Sequence, residues 1–307
     1  MGTIARLSSS TATATRFVIA VGIAVLVGAL GASAAAAGTV GMNGTTLEFV
    51  AAPGEENGLE VSRSAGGTAT EFRDNATPLT AGAGCIQVDA NSANCPPDPA
   101  AISADLGDLT DGADFGEELG SEAITAPVTV LGGDGNDSIR GGHGEDTIDG
   151  GPGHDSLFSS AAADTFVGGD GSDTVTYRFS LARVKIDLRK LRPDGYYRGG
   201  RVADGVFNDR YSTDTEGFVS GAANDKLFGN AGDNGFDGGQ GNDVIRGYAG
   251  NDGIIGGSDR DNIDAGPGDD SVDADDYVKE NVRCGKGNDW YKVDVLDVAR
   301  GCELAIP

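Results

Sequence analysis

From residue 132 onward an apolar residue returns at every ninth position: Ile139, Ile148, Leu157, Phe166 and Val175 in one stretch, then Leu227, Phe236, Ile245, Ile254, Ile263 and Val272 in another, with Val282 following one residue late. The residues on either side of each are mostly small, polar or charged. One inward side chain between two outward ones is a three-residue strand with period-two alternation. About six residues are left between strands, enough for a turn. The pattern therefore predicts an all-β chain in which each nonapeptide is a turn plus a short strand. Two nonapeptides make one coil of a flattened parallel roll, a β-solenoid with the apolar column inside. Such a coil buries its few apolar groups against its neighbours and needs no layered core.

The turns have their own regularity. The best-kept nonapeptides read "GGDGNDSIR", "GGHGEDTID", "GGDGSDTVT" and "GGQGNDVIR", following G-G-x-G-x-D-x-U-x with U apolar. The chain holds 51 glycines, and they do not fall every third residue, so a collagen triple helix is excluded. Glycine in a repeated turn accepts positive φ and lets backbone come close to backbone or ligand. Aspartate adds a hard oxygen. Calcium takes 6–8 oxygens from carboxylates and carbonyls in a tolerant geometry. A glycine turn that exposes carbonyls beside an aspartate meets that demand when stacked turns share each ion. The sixth-position residues are Asp137, Asp146, Asp155, Asp164, Asp173, Asp225, Asn234, Asp243, Asp252, Asp261, Asp270 and Asp289.

On these motifs the stretch 128–302 resembles the RTX (repeats-in-toxin, haemolysin-type) calcium-binding family, and the closing "VRCGKGNDWYKVDVLDVARGCE" looks like the end of its secreted actinobacterial members. The resemblance implies a parallel β-roll with Ca2+ between turns two repeats apart. The sharing pairs are then Asp137/Asp155, Asp146/Asp164, Asp155/Asp173, Asp225/Asp243, Asn234/Asp252, Asp243/Asp261 and Asp252/Asp270. Four positions depart from the pattern. Asp164 has lost its glycine turn, Asn234 offers a neutral oxygen, Asp259 stands where "GGSDRD" should have its third glycine, and the ten-residue unit "ADDYVKENVR" shifts the register between Asp270 and Asp289.

The rest of the chain divides around these blocks. Residues 1–37 carry Arg6 and Arg16 before the apolar run Phe17–Leu30 and small residues at Ala34–Ala37, the signature of a secretory signal peptide. The 21 uncharged residues from Phe17 to Ala37 are also long enough for an uncleaved anchor. After cleavage no other segment has the length and hydrophobicity to span a membrane, which places the protein outside the cell. Residues 38–127 hold short alternating runs, "TTLEFVA", "GLEVS" and "TATEF", and read as a β-rich N-terminal cap. Residues 128–176 are the first block, 177–219 an enlarged coil, and 220–307 the second block with its C-terminal cap. Four cysteines in an exported chain point to two disulfides. Three pairings are open, and the local one, Cys85–Cys95 with Cys284–Cys302, is preferred because the two pairs lie far apart in sequence.

Charge narrows the function. With 48 acidic against 22 basic residues the net charge is −26, which excludes nucleic acid as a partner of the whole chain. The segment 177–210 is the exception, with nine Lys/Arg that include Arg189, Lys190, Arg192 and Arg198. It reads either as a solvated loop offsetting nearby acid or as a docking patch for an anionic surface polymer such as cell-wall material. The two histidines, His143 and His154, sit in turns; neither HExxH nor GxSxG occurs, and no catalytic residue is assigned. Trp290 is expected to seal the end of the roll. The expected function is that of a secreted, non-enzymatic calcium-binding protein that folds on Ca2+, with a structural or surface-interaction role. The alternative is a calcium-stabilised extracellular enzyme or toxin with its activity in 38–127 or 177–219.

Overall fold

A computed structural model describes residues 37–116, 123–160, 162–202 and 209–305, and the side chains of Arg201 and Val202 are left out of account. The segment expected to be a signal peptide lies outside the described residues up to residue 36. Among those residues every regular element is a strand. Each nonapeptide gives one three-residue strand, and successive strands go to alternate sheets. Ser138–Arg140, Ser156–Phe158 and Thr174–Thr176 pair in parallel in one sheet. Thr147–Asp149 and Thr165–Val167 pair in the other. The second block repeats this from Lys226–Phe228 and Gly235–Asp237 onward. The fold is the β-roll that the nine-residue period predicts.

The two sheets face each other across the apolar column. All twelve U residues are buried, none above 3% exposed. In the middle of the roll the column is aromatic: Phe166 stacks on Tyr211, Tyr211 meets Phe218 edge-on, and Phe218 stacks on Phe236. Burial of a Phe or Ile side chain stabilises by about 1.5–3 kcal/mol, so this single file supplies most of the hydrophobic driving force of each coil.

The insert enlarges one sheet only. Arg183–Asp187, Tyr197–Val202 and Asp209–Tyr211 form an antiparallel meander between Lys226–Phe228 and Thr165–Val167. The opposite sheet runs straight past it, with Thr174–Thr176 paired to Gly217–Val219 and that strand to Gly235–Asp237.

The sheets also continue toward the N-terminus. Thr46–Val50 and Ala101–Asp105 extend the first sheet in parallel with Val128–Leu131, and Gly58–Arg63 and Gly112–Asp114 extend the second beside Ser138–Arg140. Antiparallel strands close this end: Gly38–Asn43 pairs with Thr46–Val50, and Thr70–Asp74, Ser92–Cys95 and Ile86–Asp89 add to Gly58–Arg63. The disulfide Cys85–Cys95 lies within this region, and Cys284–Cys302 ties the last coil together. Both match the local pairing. Trp290 does not seal the C-terminal end. Its side chain is 50% exposed at the start of Trp290–Val293, and the end is formed instead by Val298–Arg300 and Leu304–Ala305 added in parallel to the two sheets.

Candidate metal centre

The glycine turns bring carbonyls and carboxylates together by close stacking. Gly133 has φ +98°, and a Cβ there would strike the carbonyl oxygen of Gly107 in the preceding coil. The first glycine of each turn has a different neighbour. A Cβ on Gly132 would strike both Asp137 Oδ2 and the carbonyl oxygen of Gly150; one on Gly238 would strike Asp243 Oδ2 and the carbonyl of Gly256. Each such turn thus has a small cradle where one carboxylate oxygen and the carbonyl of the next coil converge. Asp259 keeps its turn by adopting φ +77°, a left-handed conformation that aspartate tolerates better than most residues.

The sixth-position residues form two stacked files along the edges of the roll, and all twelve are buried. In each file the backbone N–H of one residue donates to Oδ1 of its counterpart in the next coil. One file runs Asp137 to Asp155 (2.8 Å), Asp155 to Asp173 (2.9 Å), then Asn234 to Asp252 (2.8 Å) and Asp252 to Asp270 (2.8 Å). The other runs Asp146 to Asp164 (3.1 Å), then Asp225 to Asp243 (2.7 Å) and Asp243 to Asp261 (2.9 Å). The register shift does not break the first file: Asp270 N–H donates to Asp289 Oδ1 at 3.1 Å. The extra residue is taken up in the bend at 275–280, where Tyr277 has φ +69°.

Oδ1 is satisfied in this way, whereas Oδ2 is mostly not. In Asp137, Asp146, Asp155, Asp173, Asp243, Asp252, Asp261, Asp270 and Asp289 this atom is buried with no hydrogen-bond donor. A buried, unpaired carboxylate oxygen is costly; nine of them at a fixed spacing are a donor set for a hard cation. At the three remaining positions internal donors fill the cradle. Ser160 donates to Asp164 Oδ2 through its hydroxyl (2.9 Å), Gly221 N–H reaches Asp225 Oδ2 (3.3 Å), and Asn230 N–H reaches Asn234 Oδ1 (2.9 Å). Two of these turns, "SSAAAD" and "SGAAND", keep at most one glycine of the pattern, and the third carries asparagine in place of aspartate.

The electrostatics agree with the geometry. Burial, reinforced by neighbouring carboxylates, raises Asp137, Asp146, Asp164, Asp252 and Asp261 to about 7 and Asp243 to about 8; these neighbours include members of the same file except at Asp261, where they are Asp276 and Asp259. Asp155 and Asp270 rise to about 6 for the same reasons. Asp173 and Asp225 are raised by burial as well. A cation in the cradles reverses this by favouring the charged form.

Several members of the files escape a search for the G-G-x-G-x-D turn. Asp111 sits one coil before Asp137, accepts Asn57 N–H (2.5 Å), donates its own N–H to Asp137 (2.8 Å) and has an unpaired Oδ2; burial raises it to about 6. At the insert the files run on to Asp209, which accepts Asp164 N–H (2.9 Å), and to Glu216, which accepts Asp173 N–H (3.2 Å), while Asp225 Oδ1 accepts Val184 N–H of the insert (2.7 Å). Beyond the repeats, Asp297 accepts from Glu280 N–H (2.9 Å), and Glu303 lies 3.5 Å from Asp289 N. Their sequence signal is an acidic residue two positions before an apolar one: Ala113, Tyr211, Phe218, Ala299 and Ala305.

The basic segment does not present a free cationic surface at all four predicted positions. Arg189 is paired bidentately with Asp187, donates to the Tyr248 hydroxyl (2.8 Å), and lies over the Phe228 and Tyr248 rings. Arg198 is paired with Asp194, which also holds Arg210. Lys190 and Arg192 are exposed. His154 Nδ1 accepts Ser172 N–H (3.0 Å) and so helps stack two turns.

Four segments, residues 129–157, 144–175, 218–245 and 246–276, match the RTX calcium-binding nonapeptide repeat. No curated protein matches the chain. Eight of the nine unpaired Oδ2 atoms, all but that of Asp289, lie in the matched segments. The chain therefore contains a calcium-binding RTX-repeat β-roll.

Proposed function

We propose that this protein is exported, and that calcium in the stacked turns completes the folding of its roll outside the cell. The role is structural or surface-interacting and not catalytic. What carries the reading is the row of nine unpaired Oδ2 atoms, five of which (Asp137, Asp155, Asp173, Asp243 and Asp252) converge with a carbonyl of the next coil on the first glycine of their turn. The residues that would hold calcium are the sixth-position aspartates together with the turn carbonyls. With the ion absent, facing carboxylates repel and short strands must offset the chain entropy alone. Bound calcium supplies the missing positive charge, so its binding free energy becomes folding free energy. Sites of about 10⁻⁴–10⁻³ M suffice for extracellular calcium. The two disulfides support the extracellular setting. Lys190 and Arg192 remain the residues through which an anionic surface polymer would be held.

The test is a far-UV circular dichroism titration of the purified protein with calcium, using magnesium as the control. A cooperative gain of β signal with calcium alone is expected. A spectrum already folded in chelator and unchanged by calcium overturns the reading.

A further inference from the structure

The C-terminal end of the roll holds a second kind of acidic cluster. In the bend 275–280 the nonapeptide pattern has lapsed, and Glu280 stands one coil beyond Asp261, in the position a repeat aspartate would occupy. Its side chain is 1% exposed, and neither Oε1 nor Oε2 has a hydrogen-bond donor. Ligand oxygens of Asp276, Glu280 and Asp294 lie within 4.8 Å of one another. Asp294 Oδ2 is also buried without a donor. Among the described residues no Lys or Arg pairs with any of the three; Lys292, the nearest cation in sequence to Asp294, is paired with Asp273 and Asp275.

The cluster is braced from behind. Asp297 accepts Glu280 N–H through Oδ1 (2.9 Å) and Asp294 N–H through Oδ2 (2.8 Å), fixing the backbones that carry two of the three carboxylates. Asp276 accepts Val278 N–H (2.8 Å) and Asp259 N–H (2.9 Å), which ties the bend to the preceding coil and leaves each oxygen a further lone pair. Three carboxyl side chains, one of them fully buried, are held together with three of their oxygens unpaired. In a nonapeptide turn glycine carbonyls provide much of the ligation; here side-chain carboxylates replace them. The oxygens span a distance that Ca2+ bridges at its usual 2.3–2.6 Å, and an all-oxygen, carboxylate-rich set is the chemistry of a calcium site.

We propose that Asp276, Glu280 and Asp294 form a separate calcium site that fastens the last coil to the roll, with Asp297 as its positioning residue. Glu280 and Asp294 lie beyond the matched repeat segments. The site draws its ligands from the bend before Asn281–Lys286 and the loop after Trp290–Val293. It therefore clamps the same coil that the Cys284–Cys302 disulfide closes. The inference rests on the calcium reading above, applied to residues outside the repeats.

The test counts bound calcium per chain by flow dialysis on the full protein, with circular dichroism on the same samples. Glu280→Gln keeps the side-chain shape and removes the charge; Asp294→Asn does the same in a loop. Each is expected to bind one calcium fewer than wild type while the calcium-driven gain of β signal is retained. A count equal to wild type in Asp294→Asn, or in a folded Glu280→Gln, overturns the proposal. Should Glu280→Gln fail to fold, Asp294→Asn decides alone. Asp243→Asn separates the two readings: if it loses calcium from the repeats while Glu280→Gln and Asp294→Asn match wild type, only the terminal site is refuted. If wild type itself binds no calcium, both readings fall.

Discussion

Asp243→Asn is the sharpest test of ion sharing along the files. Asp243 accepts Asp225 N–H at 2.7 Å and donates its own N–H to Asp261 at 2.9 Å, and its Oδ2 has no donor. Asparagine keeps the Oδ1 rung and the volume and removes only the charge facing the cradle. A lost charge-assisted interaction is worth about 1.5–3 kcal/mol. If the repeats take about seven ions in one cooperative step, that energy is spread over all of them as about 0.2–0.4 kcal/mol per ion. The calcium midpoint then rises about 1.4- to 2-fold. If the sites fill independently, the two ions that share Asp243 each weaken on their own. About tenfold or more is then lost at those sites, and the rest of the curve stays in place. Circular dichroism and calcium binding on one sample distinguish the regimes. The control is Asp233→Asn, an exposed turn residue that accepts Asn251 N–H at 2.6 Å and removes an equal charge. An unchanged midpoint in Asp243→Asn, or equal shifts in both variants, refutes the idea that the buried file holds the ions.

Other outcomes follow from the same geometry. The buried aspartates titrate at about 6–8 in the fold against an ordinary value of 3.8, so the folded state holds protons that the unfolded chain releases. Without calcium, stability is fully present below about pH 4 and is lost as pH rises through about 8; in chelator the β signal is expected to be stronger at pH 5 than at pH 8. With calcium the trend reverses, because protons compete for the same oxygens, and the calcium midpoint rises as pH falls from 8 to 6. Gly238→Ala places a methyl against Asp243 Oδ2 and the Gly256 carbonyl; it is expected to weaken calcium binding more than Gly253→Ala, where an added Cβ meets nothing within 4 Å. Asp259→Gly relieves a left-handed aspartate and is expected to raise stability in saturating calcium by about 0.5–1 kcal/mol, read by denaturant unfolding. Replacing Cys284 and Cys302 by alanine opens an 18-residue loop and is expected to cost about 3 kcal/mol, seen as a higher calcium midpoint.

The repeats were legible because one spacing serves two purposes. The apolar residue and the aspartate lie two positions apart in every unit, so finding Ile245 also finds Asp243. Legibility fails where the chain keeps the structural rung but drops the glycine turn or the count. Asp209 and Glu216 continue the two files 45 and 43 residues after Asp164 and Asp173. Glu216 stands nine residues before Asp225, as Phe218 does before Leu227, but its turn "YSTDTE" has no glycine and its carboxylate is a glutamate. Asp111 is hidden by the count, 26 residues before Asp137. The extra residue before Val282 breaks the sequence register but not the file, because a bend absorbs it outside the strand. Trp290 misleads in the opposite way: a large aromatic on a short strand looks like a plug, yet the alternation places Tyr291 at the inward-facing position. The charge of the insert is readable, but its pairing is not. That Arg189 and Arg198 are spent on Asp187 and Asp194 depends on side-chain directions across a hairpin.

The rungs of the aspartate files all point one way. In each, the donor belongs to the earlier coil and the acceptor to the later one, from Asn57 toward Asp111 at one end to Glu280 toward Asp297 at the other. A coil is therefore latched by its successor. A chain that emerges N-terminus first leaves every newly exposed coil with unanswered N–H groups until the next has arrived. Asp297 and Glu303, which close the described part of the two files, follow the last repeat in sequence. Each coil of such a polymer is completed only by the one that comes after it.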